Sequence, residues 1–145
     1  MITYWDSSAL VACLAIEEFS DAVQDVFQKS SGYPKFTSWV SIFEVETALR
    51  RKLNKAFLAP HEYQDCQSRW AELQSALNFV SLDEWVARSG ARFQKLYGLK
   101  TGDAAQLGSA NLIQNQFPEV IFATLDQPLS RYAKQEGFKT LETTP

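Results

Sequence analysis

Short apolar segments alternate along this chain with longer segments in which apolar residues recur every three or four positions. Side chains share a face every two residues in a strand and about every 3.6 residues in a helix, so the segments indicate strands and helices respectively. Regular alternation of this kind favours a parallel sheet covered by helices on both faces. We therefore expect an α/β fold, an α/β/α sandwich around a central parallel sheet of about five strands.

The boundaries of these segments can be placed from the same pattern. The predicted strands lie at residues 2–5, within 33–38, and at 78–81, 120–124 and 138–141. The predicted helices lie at residues 8–18, 19–29, 41–57, 60–77, 83–97, 101–115 and 127–136. Ser7 or Ser8 is available to cap the first helix, Pro60 suits a first helical turn, and Gly137 suits the end of the last helix. Small residues crowd 101–115, which predicts close packing of that helix against a neighbour.

Length and composition are those of one compact domain spanning residues 1–145. The chain is 46% hydrophobic and 21% charged and contains no repeat or low-complexity linker. It shows neither a secretory signal nor a stretch near the roughly 20 apolar residues that span a bilayer, so we expect a cytoplasmic protein without a membrane segment. The formal net charge of −3 argues against binding of nucleic acid by bulk charge. A nuclease remains compatible, because bound cations would offset an acidic site.

Several kinds of site have little support. Cys13 and Cys66 are far apart in sequence and form no Cys-x-x-Cys pair, so we expect two free thiols. His61 is the only histidine and stands at a predicted helix start, where an exposed side chain is expected. A histidine-dependent triad is therefore disfavoured. The chain also lacks a phosphate-binding glycine loop and a dinucleotide fingerprint.

Four carboxylates stand at the edges of separate predicted elements. Asp6 and Asp126 directly follow apolar strand segments, and Glu44 and Asp103 lie in apolar helical patterns. The carboxyl ends of parallel strands meet at one edge of a sheet, where ligands bind. A charge beside a buried helix face destabilises the fold unless an opposite charge or hydrogen bonds compensate it. A divalent metal ion would compensate all four carboxylates.

Each acid also has a structural alternative. Asp6 and Asp126 occupy positions where aspartate commonly caps a helix, and we weigh cap and ligand equally for each. Glu44 could be a first-turn acid favoured by the helix dipole, and Glu46 competes with it as a ligand. Asp103 could cap its own helix. The flanking apolar residues favour Glu44 over Glu46, and the close-packed helix favours an Asp103 that faces a cleft.

Oxygen ligands of this kind suit Mg²⁺ and Mn²⁺. Such ions activate water and stabilise the leaving oxygen when a phosphodiester bond is cleaved, so the acids together indicate a metal-dependent phosphodiesterase site. Thr124, just before Asp126, could orient water or metal through its hydroxyl, or be an ordinary β-branched strand residue. Ser7 is a weaker candidate for the same role.

The segments that hold these acids also resemble a known family in order and spacing. Residues 6–10 (DSSAL) resemble the opening of PIN domains, especially toxin ribonucleases of the VapC type. Residues 41–50 (SIFEVETALR) are similar to their second acidic motif, and residues 102–110 (GDAAQLGSA) to their third. The closing motif, Thr-x-Asp with Leu, Ala and Gly at helical spacing, is matched by residues 124–133 (TLDQPLSRYA) and Gly137.

The resemblance implies a PIN-like α/β/α sandwich and a Mg²⁺- or Mn²⁺-dependent endoribonuclease. It also implies RNA as substrate, a cognate VapB-like antitoxin that occludes the site, and a homodimer. Asp6, Glu44 and Asp103 would be the main metal ligands and Asp126 a further one, bound directly or through water. One departure is Gln106, where many relatives have His. Since all four acids are present, an active enzyme is favoured.

Other functions remain open on the sequence. A PIN nuclease of RNA processing would share the site but often carries extra binding modules, and a catalytically silent PIN-fold interaction domain would tolerate loss of an acid. A receiver-like phosphoacceptor domain also gathers acids at strand ends, but it needs adjacent acids after the first strand, where this chain has Trp5-Asp6-Ser7.

Basic and aromatic residues have more ordinary explanations. The run from Arg50 to Lys55 and the cations of the helix at 83–97 are expected to be solvated faces, of which some could steer RNA. Core packing is the default for the aromatic residues, and four of them lie at spacings compatible with it: Trp70, Trp85, Phe93 and Tyr97. Trp39 and Phe57 share that default but could instead reach a dimer or antitoxin surface.

Overall fold

Five parallel strands form one sheet in the computed structural model, which describes residues 1–15 and 20–141. The strands follow the order β3-β2-β1-β4-β5, so β1 is central. Tyr4 of β1 is in register with Phe36 of β2 and Phe122 of β4. The strands are β1 (Thr3–Trp5), β2 (Lys35–Ser38), β3 (Asn78–Val80), β4 (Ile121–Ala123) and β5 (Lys139–Thr140). The predicted α/β fold with a parallel sheet is confirmed.

Helices connect the strands on both sides of this sheet. Within the described residues they are α1 (Ser7–Leu14), α2 (Ser20–Lys29), α3 (Val40–Asn54), α4 (Pro60–Gln74), α5 (Glu84–Tyr97), α6 (Thr101–Gln116) and α7 (Gln127–Gln135). Residues 16–19, which the sequence assigns to two helices, lie outside the described residues. The helix predicted at 41–57 ends earlier, at Asn54, because Ala56 adopts a left-handed conformation with φ of 61° and turns the chain.

Alternation along β1 divides the core into two halves. Trp5 packs in a cluster with residues of α1 to α4, including Leu10, Leu49 and Trp70. Tyr4, its neighbour, points to the opposite face, where it stacks on Phe122 at 5.5 Å and joins residues of α5, α6 and α7. Both β1 side chains are fully buried, so the sheet is covered on each face as predicted.

The backbones of α5 and α6 touch where both helices carry glycine. A Cβ added to Gly108 would lie 2.8 Å from the carbonyl oxygen of Val86 and 2.9 Å from the amide nitrogen of Gly90. Real Cβ atoms do not come so close to backbone, so no side chain fits there. The close approach predicted from small residues at 101–115 is therefore confirmed, and it positions the first turn of α6 beside the sheet edge.

Two of the four aromatic side chains expected in the core, Trp70 and Phe93, are buried. Tyr97 is partly buried against the core, and Trp85 is 42% exposed. The buried face of α5 is formed by Val86, Ser89, Gly90 and Phe93. Trp85 precedes Val86 by one residue, about 100° around the helix, and so faces solvent.

Trp39 and Phe57 are 49% and 71% exposed, so the default expectation of core packing is wrong for both. The exposed His61 and the free thiols of Cys13 and Cys66 agree with the predictions. No helix in the described part of the chain combines the length and the apolar character needed to cross a membrane.

Candidate active site

Asp6 occupies the N-cap position of α1 without capping the helix. Its backbone is extended, but its side chain accepts no hydrogen bond from the first turn. It instead accepts hydrogen bonds at Oδ2 from the hydroxyls of Ser8, at 2.7 Å, and Thr124, at 2.8 Å. None of the described groups donates to Oδ1. Neither Ser7 nor Ser8 occupies the cap position, and Ser8, which the sequence offered only as a cap, instead holds the carboxylate of Asp6.

Burial makes an ionised Asp6 costly. The residue is only 4% exposed, and its pKa is raised from 3.8 to about 6, first by desolvation and then by the negative charges of Glu44 and Asp103. The hydroxyls of Ser8 and Thr124 oppose this rise by stabilising the charged form. A cation near Oδ1 would relieve both the burial and the repulsion.

Asp126 has the same relation to a strand and a helix but is used differently. It is the N-cap of α7, and its Oδ1 accepts a hydrogen bond from the amide of Leu129 at 2.9 Å. The capping alternative is therefore confirmed for Asp126. Its own amide donates to the hydroxyl of Thr124 at 3.1 Å, and the same hydroxyl donates to Asp6. The hydroxyl of buried Thr124 therefore links Asp6 to the backbone of Asp126.

Glu44 lies in the second turn of α3 and faces the start of α6. Its Oε1 accepts a hydrogen bond from Nε2 of Gln106 at 2.7 Å, and its Oε2 lies against Gly102, where a Cβ would collide with it. Glu46, the rival on the same helix, turns to α4 and accepts a hydrogen bond from Gln67 at 2.8 Å. Of the two glutamates, only Glu44 is directed towards the other acids.

Gln106 is fully buried and links three elements. Its Oε1 accepts a hydrogen bond from the hydroxyl of Tyr4 on β1 at 2.7 Å. Its Nε2 donates to the hydroxyl of Ser41 at 2.9 Å and to Glu44, both on α3. Both amide hydrogens are used, and the reverse orientation would turn Oε1 towards a carboxylate, so the pattern fixes the amide. A polar residue three positions after Asp103, in a helix of small residues, was the signal that could have revealed this role.

Asp103 is the third residue of α6 and is partly exposed. The N-cap position of that helix belongs to Lys100, so Asp103 is not the cap. Its pKa is raised, mainly by burial and further by the charges of Asp126 and Glu44, while Lys100 opposes the rise. Contacts through Thr124 join Asp6 to Asp126. Glu44 lies against the first turn of α6, which carries Asp103, so the four acids lie at the carboxyl edge of β1 and β4.

The donor set fits a hard divalent cation with few direct carboxylate ligands. In residues 1–15 and 20–141, no three Asp, Glu, His or Cys side chains stand close enough to hold a metal ion among them. Mg²⁺ commonly takes one or two carboxylates and completes its shell with water and substrate phosphate. Oδ1 of Asp6, which accepts no hydrogen bond from the described residues, and the partly exposed carboxylate of Asp103 match that requirement, whereas one oxygen of Asp126 is already used by its helix.

Comparison with solved structures shows the same fold in three proteins. A toxin-antitoxin complex from Klebsiella pneumoniae matches with a TM-score of 0.63 at 17% identity, over 94% of each chain. VapBC2 from Rickettsia felis, bound to a DNA fragment from their promoter, matches with 0.67 at 10% identity over 97% of each chain. PAE2754 from Pyrobaculum aerophilum matches with 0.65 at 21% identity, over 98% of this chain and 85% of that one.

Comparison of the sequence itself gives one family. No curated protein matches it. The model of the PIN domain matches residues 3–135, a span that includes all four acids and every helix and strand of the site. The chain belongs to the PIN domain family.

Proposed function

We propose that this protein is a Mg²⁺- or Mn²⁺-dependent endoribonuclease that acts in the cytoplasm as the toxin of a VapBC-type toxin-antitoxin pair. PIN domain nucleases are hydrolases acting on nucleic acids and generally use divalent metal ions. One observation carries the proposal for this chain. Asp6 stands at the N-cap position of α1, yet its buried side chain does not cap the helix. Two hydroxyls hold its Oδ2, so that Oδ1 can bind a ligand.

The residues divide into ligands and the groups that hold them. Asp6 and Asp103 would bind the metal directly, and Glu44 and Asp126, whose Oδ1 caps α7, would support it through water. A bound metal supplies activation of the attacking water and stabilisation of the charge that develops on the phosphate. Thr124 orients Asp6 by hydrogen bonding to its Oδ2 and is not itself proposed as a ligand.

The antitoxin partner is proposed from the similar solved structures and not from the geometry of the active site. One similar solved structure is a toxin-antitoxin complex and another is VapBC2, which supports a VapB-like antitoxin for this chain. A homodimer is proposed on the resemblance to VapC-type toxins alone. If the protein is a toxin, expression of the wild type should arrest growth and expression of Asp6→Asn should not. A small DNA-binding protein encoded beside it should restore growth and co-purify with it. If no protein encoded beside it restores growth, the result would favour a PIN nuclease of RNA processing.

The catalytic proposal is tested with purified protein and total RNA. Cleavage should require Mg²⁺ or Mn²⁺, stop with EDTA, and fall by more than about 100-fold in Asp6→Asn, Glu44→Gln and Asp103→Asn, since loss even of a ligand's partner typically costs 10- to 100-fold. Glu46→Gln is the matched control, because it makes the same change on α3 at a carboxylate that faces α4. Cleavage that persists in Asp6→Asn or in EDTA would contradict the assignment of a metal-dependent active site to these acids.

A further inference from the structure

A surface groove leads away from Glu44 along α3. One cavity of about 280 Å³ is lined by Ser7, Phe43, Glu44, Thr47, Ala48 and Arg51. A second, of about 250 Å³, is lined by Ser7, Ser8, Val11, Ala48 and Lys52. Because Ser7 and Ala48 belong to both, the cavities form one continuous depression between the start of α1 and the outer side of α3.

Helical spacing gives this groove two chemically different ends. Glu44, Ala48 and Arg51 are four and three residues apart and therefore share a face of α3. At about 1.5 Å per residue, Arg51 lies roughly 10 Å along the helix from Glu44. Lys52 stands beside Arg51 at the same end. The groove therefore runs from the acidic site to a basic end over two helical turns.

Only part of the basic run predicted from the sequence reaches the groove. Arg51 and Lys52 line it, and Arg50 lines an adjoining cavity that shares Thr47 and Arg51 with it, whereas Lys55 lines none of these cavities. Arg51 forms no ion pair with a carboxylate in the described part of the chain, so its guanidinium is available to an anion. Such a planar fork matches the oxygens of phosphate.

Phe43 supplies an aromatic surface at the acidic end. Its side chain is 74% exposed although it neighbours Glu44 and lines the same cavity. Exposed aromatic rings beside a basic track are platforms on which unpaired bases stack. Bases are accessible in this way in single strands, and not within an RNA duplex.

We infer that this groove is the substrate track of the enzyme: single-stranded RNA lies along α3 with a base against Phe43 and a backbone phosphate on Arg51, next to the phosphate that is cleaved. The assignment rests on the proposed ribonuclease function and names the class of its substrate. The groove carries the acids for the metal together with an aromatic ring at one end and cations at the other, an arrangement complementary to a strand of alternating bases and phosphates.

The test measures binding of a short, fluorescently labelled single-stranded RNA of mixed sequence. All proteins carry Asp103→Asn to prevent cleavage, and affinity is measured in Mg²⁺ over a range of NaCl concentrations. Arg51→Ala should weaken binding and reduce the slope of log affinity against log salt by about 0.7, the value for one lost phosphate contact in a single strand. Phe43→Ala should weaken binding at least about 5-fold with little change in that slope.

Lys55→Ala is the matched control, since it removes one positive charge from the same basic run outside the groove. It should leave the affinity and the salt slope close to those of the parent. In the cleaving background, Arg51→Ala and Phe43→Ala should raise KM more than they lower kcat, because they contact substrate away from the reacting phosphate. All three side chains are exposed, so the melting temperatures of the three variants should stay near that of the wild type.

The outcomes separate this inference from the proposed function. Equal effects of Arg51→Ala and Lys55→Ala would overturn the track, even if the wild type cleaves RNA. Unchanged affinity in both Arg51→Ala and Phe43→Ala would also overturn it and would leave the groove to a protein partner. RNA binding that depends on Arg51 in a wild type without cleavage under any metal would support the groove as an RNA site and refute the ribonuclease.

Discussion

Asp6 and Asp126 show how one residue type at one kind of position can serve two purposes. Both follow a buried strand and precede a helix, but Asp126 caps its helix and Asp6 does not. The difference comes from the hydroxyls of Ser8 and Thr124, which draw the carboxylate of Asp6 away from the first turn of α1. The contact with Thr124 cannot be seen in the residues next to Asp6, since Thr124 is 118 positions away.

The buried charge of Asp6 leads to a prediction about metal and stability. Mg²⁺ or Mn²⁺ should raise the melting temperature of the wild type, with about 2.7 kcal/mol gained at a metal concentration 100 times the dissociation constant. Asp6→Asn should lose this response and, without metal, be at least as stable as the wild type, because it removes a charge that burial disfavours. Differential scanning calorimetry with and without EDTA measures both. An undiminished metal response in Asp6→Asn would exclude Asp6 as a ligand.

Gln106 should be a positioning residue for Glu44. Gln106→Met keeps the size of the side chain but leaves the hydroxyl of Tyr4 and the carboxylate of Glu44 without a partner. We expect a loss of about 1–3 kcal/mol in stability and a fall of roughly 10- to 100-fold in cleavage. Gln116→Met makes the same change at an exposed position of α6 and should alter neither. Cleavage by Gln106→Met at the wild-type rate would show that Glu44 needs no such support.

At the scale of elements, the approach of α6 to its neighbours decides where the acids meet. Helix boundaries followed from local signals such as Pro60 and Gly137, and most predicted elements differ from the observed ones by a few residues at their ends. The packing of α6 was only partly predictable. Its small residues indicated a close approach, but not that α5 lies on one side of it and the carboxylate of Glu44 on another.

Two glycines of α6 should respond differently to alanine. A Cβ at Gly102 meets only the end of the flexible Glu44 side chain, so Gly102→Ala should leave the melting temperature unchanged while it displaces that carboxylate and lowers cleavage. A Cβ at Gly108 meets the backbone of α5, which cannot swing aside, so Gly108→Ala should lose about 1–3 kcal/mol. Urea unfolding and RNA cleavage of both variants are the measurements. Wild-type activity in Gly102→Ala would contradict this placement of Glu44.

At the scale of the whole molecule, the crowded acids make stability depend on pH. The folded-state pKa of Asp6 is raised from 3.8 to about 6, and that of Asp103 is raised as well. Between about pH 4 and pH 6, the metal-free folded protein therefore binds more protons than the unfolded chain. Its free energy of unfolding consequently falls as the pH rises through this range. The penalty from Asp6 is absent below the unfolded value and complete above about 6, where it reaches up to about 3 kcal/mol.

The pH effect is isolated by comparing two proteins in EDTA. The free energy of unfolding of Asp6→Asn minus that of the wild type should grow as pH rises from about 4 to about 7. Added Mg²⁺ should shrink the difference, since a cation favours the ionised form. A difference that stays constant over this range would mean that the pKa of Asp6 is not raised in the folded protein.

The sequence by itself determined the α/β alternation, the two-faced core around β1 and the four acidic positions. These follow from periodicity and from residue types within short stretches, which local sterics and burial translate directly into strands and helices. Only the tertiary structure decided that Asp126 caps a helix while Asp6 does not, that Gln106 holds Glu44, and that Arg51 shares a groove with it. Those outcomes depend on single hydrogen bonds and side-chain directions between segments far apart in the chain, and such contacts are set by how whole elements pack.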